Sequence, residues 1–71
     1  MKAKDLQDRL AGLAPGETLL VPADEVEQAF HYYATAEERR IAAARLAELY
    51  QCSFTVCGPG ESQILFTRRE G

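Results

Sequence analysis

Breaks constrain this chain more than any other feature. Pro15-Gly16, Pro22, Thr35 and Gly58-Pro59-Gly60 cut 71 residues into segments long enough only for single helices and short strands. Proline interrupts because it has no amide proton and a fixed φ, and glycine because it alone tolerates left-handed backbone freely. Before the first break, Ala3, Leu6, Leu10 and Leu13 recur at i, i+3, i+7 and i+10, the stripe of a short amphipathic helix with Lys4, Asp5, Asp8 and Arg9 outside. Thr18-Leu19-Leu20-Val21 then reads as a strand, apolar on both faces and closed by Pro22.

Asp24 with Glu27 three residues on resembles a capping box, which predicts a helix burying Val26, Ala29, Phe30 and Tyr33. Thr35 with Glu38 repeats the pattern, so a break or kink is expected there and a third helix from Ala36; the rival is one helix running through Thr35. The third helix, to about Tyr50, is rich in Ala, Glu, Arg and Leu. At 100° per residue its Ala42, Ala43, Leu46, Leu49 and Tyr50 share a side. Ser53-Phe54-Thr55-Val56 alternates as a half-buried strand does. Gly58-Pro59-Gly60 marks a turn, and Ile64-Leu65-Phe66-Thr67 is the returning strand.

The expected architecture is a single small α+β domain over residues 1–71. An N-terminal helix precedes β-α-α-β-β, and a three-stranded sheet containing the C-terminal hairpin is covered by helices on one face. Phe54, Val56, Ile64 and Phe66 would point toward the helices, with Thr55, Leu65 and Thr67 on the other face. That second face stays open unless a partner, a second copy or the first helix covers it. Domains this small bury only about 60% of the surface their unfolded chain exposes.

Several functions lose support at this stage. The N-terminus leads into mixed charge instead of an apolar signal segment, and no apolar run reaches the roughly 18 residues of a membrane span, so a cytosolic protein is expected. The net charge of −3 argues against a dedicated nucleic-acid binder. Six acids (Glu17, Asp24, Glu25, Glu27, Glu37 and Glu38) lie between positions 17 and 38 with no Lys or Arg among them. His31 is the only histidine, and no motif links nucleophile, base and orienting acid, so no catalytic residues are assigned. Cys52 and Cys57, five residues apart on one strand, sit on opposite faces and too far apart for a disulfide. With no CxxC spacing, neither a metal nor a cofactor is expected.

What remains is binding. Tyr32 is expected to face solvent beside Glu25, Gln28 and His31, and Ile41 lies off the apolar stripe of the third helix. Exposed Tyr and Ile beside acids predict a protein-binding patch around Glu25, Gln28, Tyr32 and Ile41, or on the open sheet face around Thr55, Leu65 and Thr67. The bland alternative is that the helices bury Tyr32 and Ile41 between them. A nucleic-acid regulator would instead use a basic edge of Arg39, Arg68 and Arg69. A third possibility is a homodimer pairing through the open sheet face.

The run Gly16-Glu17-Thr18-Leu19-Leu20-Val21-Pro22, the Ala-rich helix, Ser53-Phe54-Thr55-Val56 and a return strand ending Thr67-Arg68 resemble small accessory proteins encoded by phages and prophages. The resemblance covers about two-thirds of the chain in pattern, without a diagnostic motif. It implies a protein-binding role, since some such proteins act by binding host defence or regulatory proteins. It supplies no site residues.

Overall fold

The last strand, β3 (Gln63–Arg68), lies at the centre of the sheet, antiparallel to both β1 (Thr18–Pro22) and β2 (Cys52–Cys57). The computed structural model describes residues 1–70. Its helices are α1 (Ala3–Ala11), α2 (Ala23–Ala29) and α3 (Ala36–Leu49), and a 3-10 turn at Pro59–Glu61 joins β2 to β3. The element order and the antiparallel hairpin are those expected from the sequence. Pro22 ends β1 at the sheet edge, where the missing amide costs no ladder bond.

Register sorts the sheet into two faces. Leu19, Phe66 and Phe54 lie side by side across the three strands, as do Val21, Ile64 and Val56. These rows turn toward the helices: Val21, Ile64 and Phe66 are buried, and the Phe54 and Phe66 rings meet edge-to-face at 5.8 Å. Leu6 and Leu10 of α1, Val26, Ala29 and Phe30 of α2, and Ala43 and Ala47 of α3 complete the core. All three helices are on this side. Arg68, from the inward face of β3, donates through Nη1 to the Leu10 carbonyl at 3.2 Å, and Gln7 Nε2 donates to the Tyr50 hydroxyl at 2.8 Å. The first helix therefore does not fold over the outer face, where Leu20 is 56% exposed.

The break at Thr35 is present. The Thr35 hydroxyl accepts from the Glu38 amide at 3.1 Å, satisfying one of the unpaired donors at the start of α3. The other cap differs from expectation. Strand β1 passes into α2 without a loop, so Pro22 holds the cap position and Asp24 lies already inside the helix. Its carboxylate accepts from the neighbouring Glu25 amide at 3.0 Å. Ala23 N–H is held instead by the Ser62 carbonyl at 2.8 Å, which ties the start of α2 to the hairpin turn.

Two apolar side chains expected in the core are outside it. Helix α2 stops at Ala29, so Tyr33 rides in the following turn and is 39% exposed. Leu49 ends α3 at 77% exposure, while Ala47 is fully buried. Of the cysteines, Cys52 is buried and Cys57 half-buried on the opposite face; both are free thiols.

Candidate functional site

Helix α3 has a core side and a solvent side. Ala43 and Ala47 let its backbone approach the core, while Glu37, Ile41, Arg45 and Glu48 form an exposed ridge opposite. Ile41 stands in the middle of that ridge and is 47% exposed. A β-branched residue half in water gains little from helix propensity or burial, so its place there asks for another explanation.

Open depressions flank it. One, of about 490 Å³, is lined by Glu37, Arg40, Ile41, Ala44 and Phe54, and so runs from α3 onto the edge strand β2. The other, of about 140 Å³, is lined by Tyr33, Glu38, Ile41, Ala42 and Arg45. Ile41 is common to both. Tyr33, Ile41, Ala44 and Phe54 thus mark an apolar strip crossing α3, bordered by carboxylates of Glu37 and Glu38 and guanidinium groups of Arg40 and Arg45.

The turn between α2 and α3 extends this strip. Phe30 is 5% exposed and anchors a knuckle in which the Tyr32 and Tyr33 ring centroids are 4.9 Å apart. Tyr32, 64% exposed, also lies edge-on to Phe30 at 6.3 Å and to His31 at 5.7 Å. Arg39 fixes the turn: its Nε donates to the Tyr33 carbonyl at 3.0 Å and its Nη1 pairs with Glu27 at 3.5 Å. Arg40 reaches Glu61 of the hairpin turn at 3.6 Å, leaving a buried Nε without a hydrogen-bond partner.

The residues expected to form one binding patch separate into groups. Ile41 and Tyr32 are exposed, and Tyr33, packed on Tyr32, shares a depression with Ile41. Glu25 is half-buried and Gln28 is exposed; they line neither of these depressions. Thr55, Leu65 and Thr67 do share the outer sheet face, since Thr55 pairs with Leu65 and Thr67 follows two residues later. The three arginines of the basic edge are employed differently. Arg39 joins α2 to α3 and Arg68 holds α1 from the inner face, while Arg69 is exposed beside Glu48 and Phe54. Tyr33, Ala44 and Phe54 were missed because helix periodicity assigned Tyr33 to the core, and only tertiary packing sets β2 beside α3.

Among the described residues, no group of three or more His, Cys, Asp and Glu side chains is placed to hold a metal ion. No helix there is long and apolar enough to cross a membrane. No known protein family, curated protein or solved structure matches the chain.

Proposed function

We propose that the chain is a non-enzymatic binding module whose partner is a protein, engaged through the outward ridge of α3. The observation that carries this reading is Ile41, half exposed at the centre of a helix and shared by two depressions. An aliphatic anchor, neighbouring tyrosines and a rim of both charge signs form the composition of a protein-recognition surface. The likeness in pattern to phage-encoded accessory proteins points the same way.

Connectivity sharpens the choice of partner. Two helices joined by residues 30–35 and followed by a hairpin stand in the chain order of a helix-turn-helix with an adjoining wing. The connection exceeds the roughly three to four residues usual in such motifs because it also carries the aromatic knuckle. In DNA-binding versions the second helix enters the major groove and offers basic or amide side chains to bases and phosphates. Here the corresponding ridge offers Glu37, Ile41, Arg45 and Glu48, with Glu38 at its start and Glu61 on the hairpin turn. With Glu61 paired to Arg40, the carboxylates of Glu37, Glu38 and Glu48 still outnumber Arg45 and oppose a polyanion, whereas the apolar strip suits a protein surface.

The test is capture of partners from host lysate by tagged wild-type protein and by Ile41→Asp, each with and without nuclease. A stoichiometric protein held by the wild type, resistant to nuclease and lost with Ile41→Asp is the expected result. Retention of that protein by Ile41→Asp refutes the ridge as the site. Capture that vanishes with nuclease favours the nucleic-acid reading, for which the helix-turn-helix connectivity is the specific support.

A further inference from the structure

The sheet has two free edges, and they differ. The Arg69 amide donates to the Gln51 carbonyl and the Arg68 amide to the Glu17 carbonyl, which sets the parity of both ladders. In β2, Ser53, Thr55 and Cys57 therefore bond β3, while the N–H and C=O groups of Cys52, Phe54 and Val56 point away from it. In β1 the outward set is Thr18, Leu20 and Pro22, and the proline has no amide proton to offer. Strand β2 carries none of the usual guards of an edge: Cys52–Cys57 contains no proline, no charge and no bulge. Cys52 is buried, but Phe54 and Val56 are half-buried, and among the described residues no backbone group outside the sheet bonds to either. We propose that the partner of the α3 ridge lays an extended segment against this edge as a fourth strand, antiparallel to β2, with a basic residue facing Glu37. This deepens, and rests on, the reading of that ridge as a protein-binding surface.

A groove runs beside the edge. Ala44 and Phe54 line both the depression of about 490 Å³ that reaches Glu37 and Ile41 and another of about 330 Å³ that reaches Glu48 and Cys52. The end of α3 thus lies by the start of β2, the two run in opposite directions, and Ala44 stands level with Phe54. From Ala44 back to Arg40 the helix spans about 6 Å, close to the strand step of about 6.6 Å from Phe54 to Val56. A segment residue opposite Phe54 turns its side chain to the helix face, between Ile41, Ala44 and Phe54, and so shields Ile41 from water. Its two neighbours turn to the outer face, beside Ser53 and Thr55. The residue two positions earlier lies opposite Val56, level with Arg40 and one helical turn from Glu37. Arg40 is engaged with Glu61, whereas among the described residues Glu37 has no ion pair.

Backbone and charge together select this occupant. An extended polypeptide presents N–H and C=O groups at strand spacing, so one added strand satisfies Phe54 and Val56 at once. The free carboxylate of Glu37 and the net charge of −3 favour a base in the segment. A second copy of this chain does not supply that base, because neither of its free edges, Thr18–Pro22 or Cys52–Cys57, contains Lys or Arg. Main-chain bonds give strand addition its affinity and side-chain pockets its specificity, so a short segment is enough. The pattern the groove asks for is a base, an outward polar residue, then an aliphatic one.

The probe is a capped peptide, acetyl-Ser-Lys-Thr-Leu-Thr-Ser-amide, titrated to about 1 mM into isotope-labelled wild-type protein and followed by amide NMR. The amide signals of Phe54, Val56 and Ile41 should shift together and saturate. Methylating the amide of the peptide's leucine, the donor to the Phe54 carbonyl, should raise the dissociation constant at least about tenfold. Methylating the amide of the threonine before it, which points away from β2, should change it by less than about twofold. Replacing the peptide's lysine by glutamate should weaken binding at least about threefold, and added salt should narrow that gap. No binding up to about 1 mM overturns the proposal, as do equal losses from the two methylations. Shifts at Phe54 and Val56 on concentrating the protein alone also overturn it, in favour of a second copy on the edge. Val56→Pro separates this proposal from the reading it rests on, since it removes an edge amide that β3 does not use; circular dichroism checks that the variant is folded. A host protein captured by Val56→Pro but not by Ile41→Asp refutes strand addition and leaves the ridge standing, whereas one captured equally by Ile41→Asp refutes both.

Discussion

Two isoleucines provide a matched test of how the molecule divides core from surface. Ile64 on the central strand is 1% exposed, and Ile41 on α3 is 47% exposed. Truncating Ile64 to alanine removes buried methyl groups beside Val21, Val56 and the helices, and leaves a cavity that β3, held by strands on both sides, cannot close. Such substitutions cost about 2–5 kcal/mol. A chain of this length has a total stability of roughly 4–11 kcal/mol, at about 0.05–0.15 kcal/mol per residue. At about 4–8 °C per kcal/mol, a loss near 3 kcal/mol lowers the melting midpoint by about 12–24 °C. Ile41→Ala differs in both terms. About half of the side chain is already in water, so the lost burial is about 1 kcal/mol. Alanine returns about 0.4 kcal/mol as the better helix former. The net cost, about 0.5 kcal/mol, corresponds to about 2–4 °C. Thermal and urea melts followed by circular dichroism measure both. If Ile41→Ala falls as far as Ile64→Ala, Ile41 belongs to the core and the α3 ridge is not a binding surface.

Other expectations concern the turn between α2 and α3. Thr35→Ala should cost about 1 kcal/mol by removing the cap bond to Glu38, and hydrogen exchange should quicken first at the start of α3. Glu27→Gln should change stability by less than about 1 kcal/mol, because the pair with Arg39 is partly open to water. Arg39→Met should cost more, since it also removes the bond to the Tyr33 carbonyl; equal losses in urea melts would show that this bond contributes nothing.

The elements legible in the sequence were those whose signal is local. Thr35 with Glu38 is a cap because hydroxyl and amide lie within one turn, whatever the rest of the chain does. The sheet faces followed from the alternation in Ser53–Val56 and Ile64–Thr67, since the pleat leaves no choice once a strand is set. Asp24 misled because the same local chemistry requires a loop before the helix, and β1 runs straight into α2. Tyr33 misled because a helical stripe continues only while the helix does, and α2 ends four residues earlier. On α3 the alanines are too small to mark the centre of the buried face, which lies nearer Ala47 than Leu49. The candidate site was legible as single residues, Tyr32 and Ile41. The strip joining them to Phe54 was not, because it depends on which strand edge α3 covers.

The place of β3 between β1 and β2 has a consequence for how the chain is made. The two outer strands share no ladder with each other; each pairs only with Gln63–Arg68. While those residues are still inside the ribosome, the emerged polypeptide has two strands and no sheet. It also has helices whose apolar faces lack Ile64 and Phe66 to rest on. Short helices without tertiary support are marginal in water, so the nascent chain should stay unstructured until Gln63–Arg68 have left the ribosome. A premature stop ahead of β3 therefore yields no smaller, partly active domain, only an open chain for proteases.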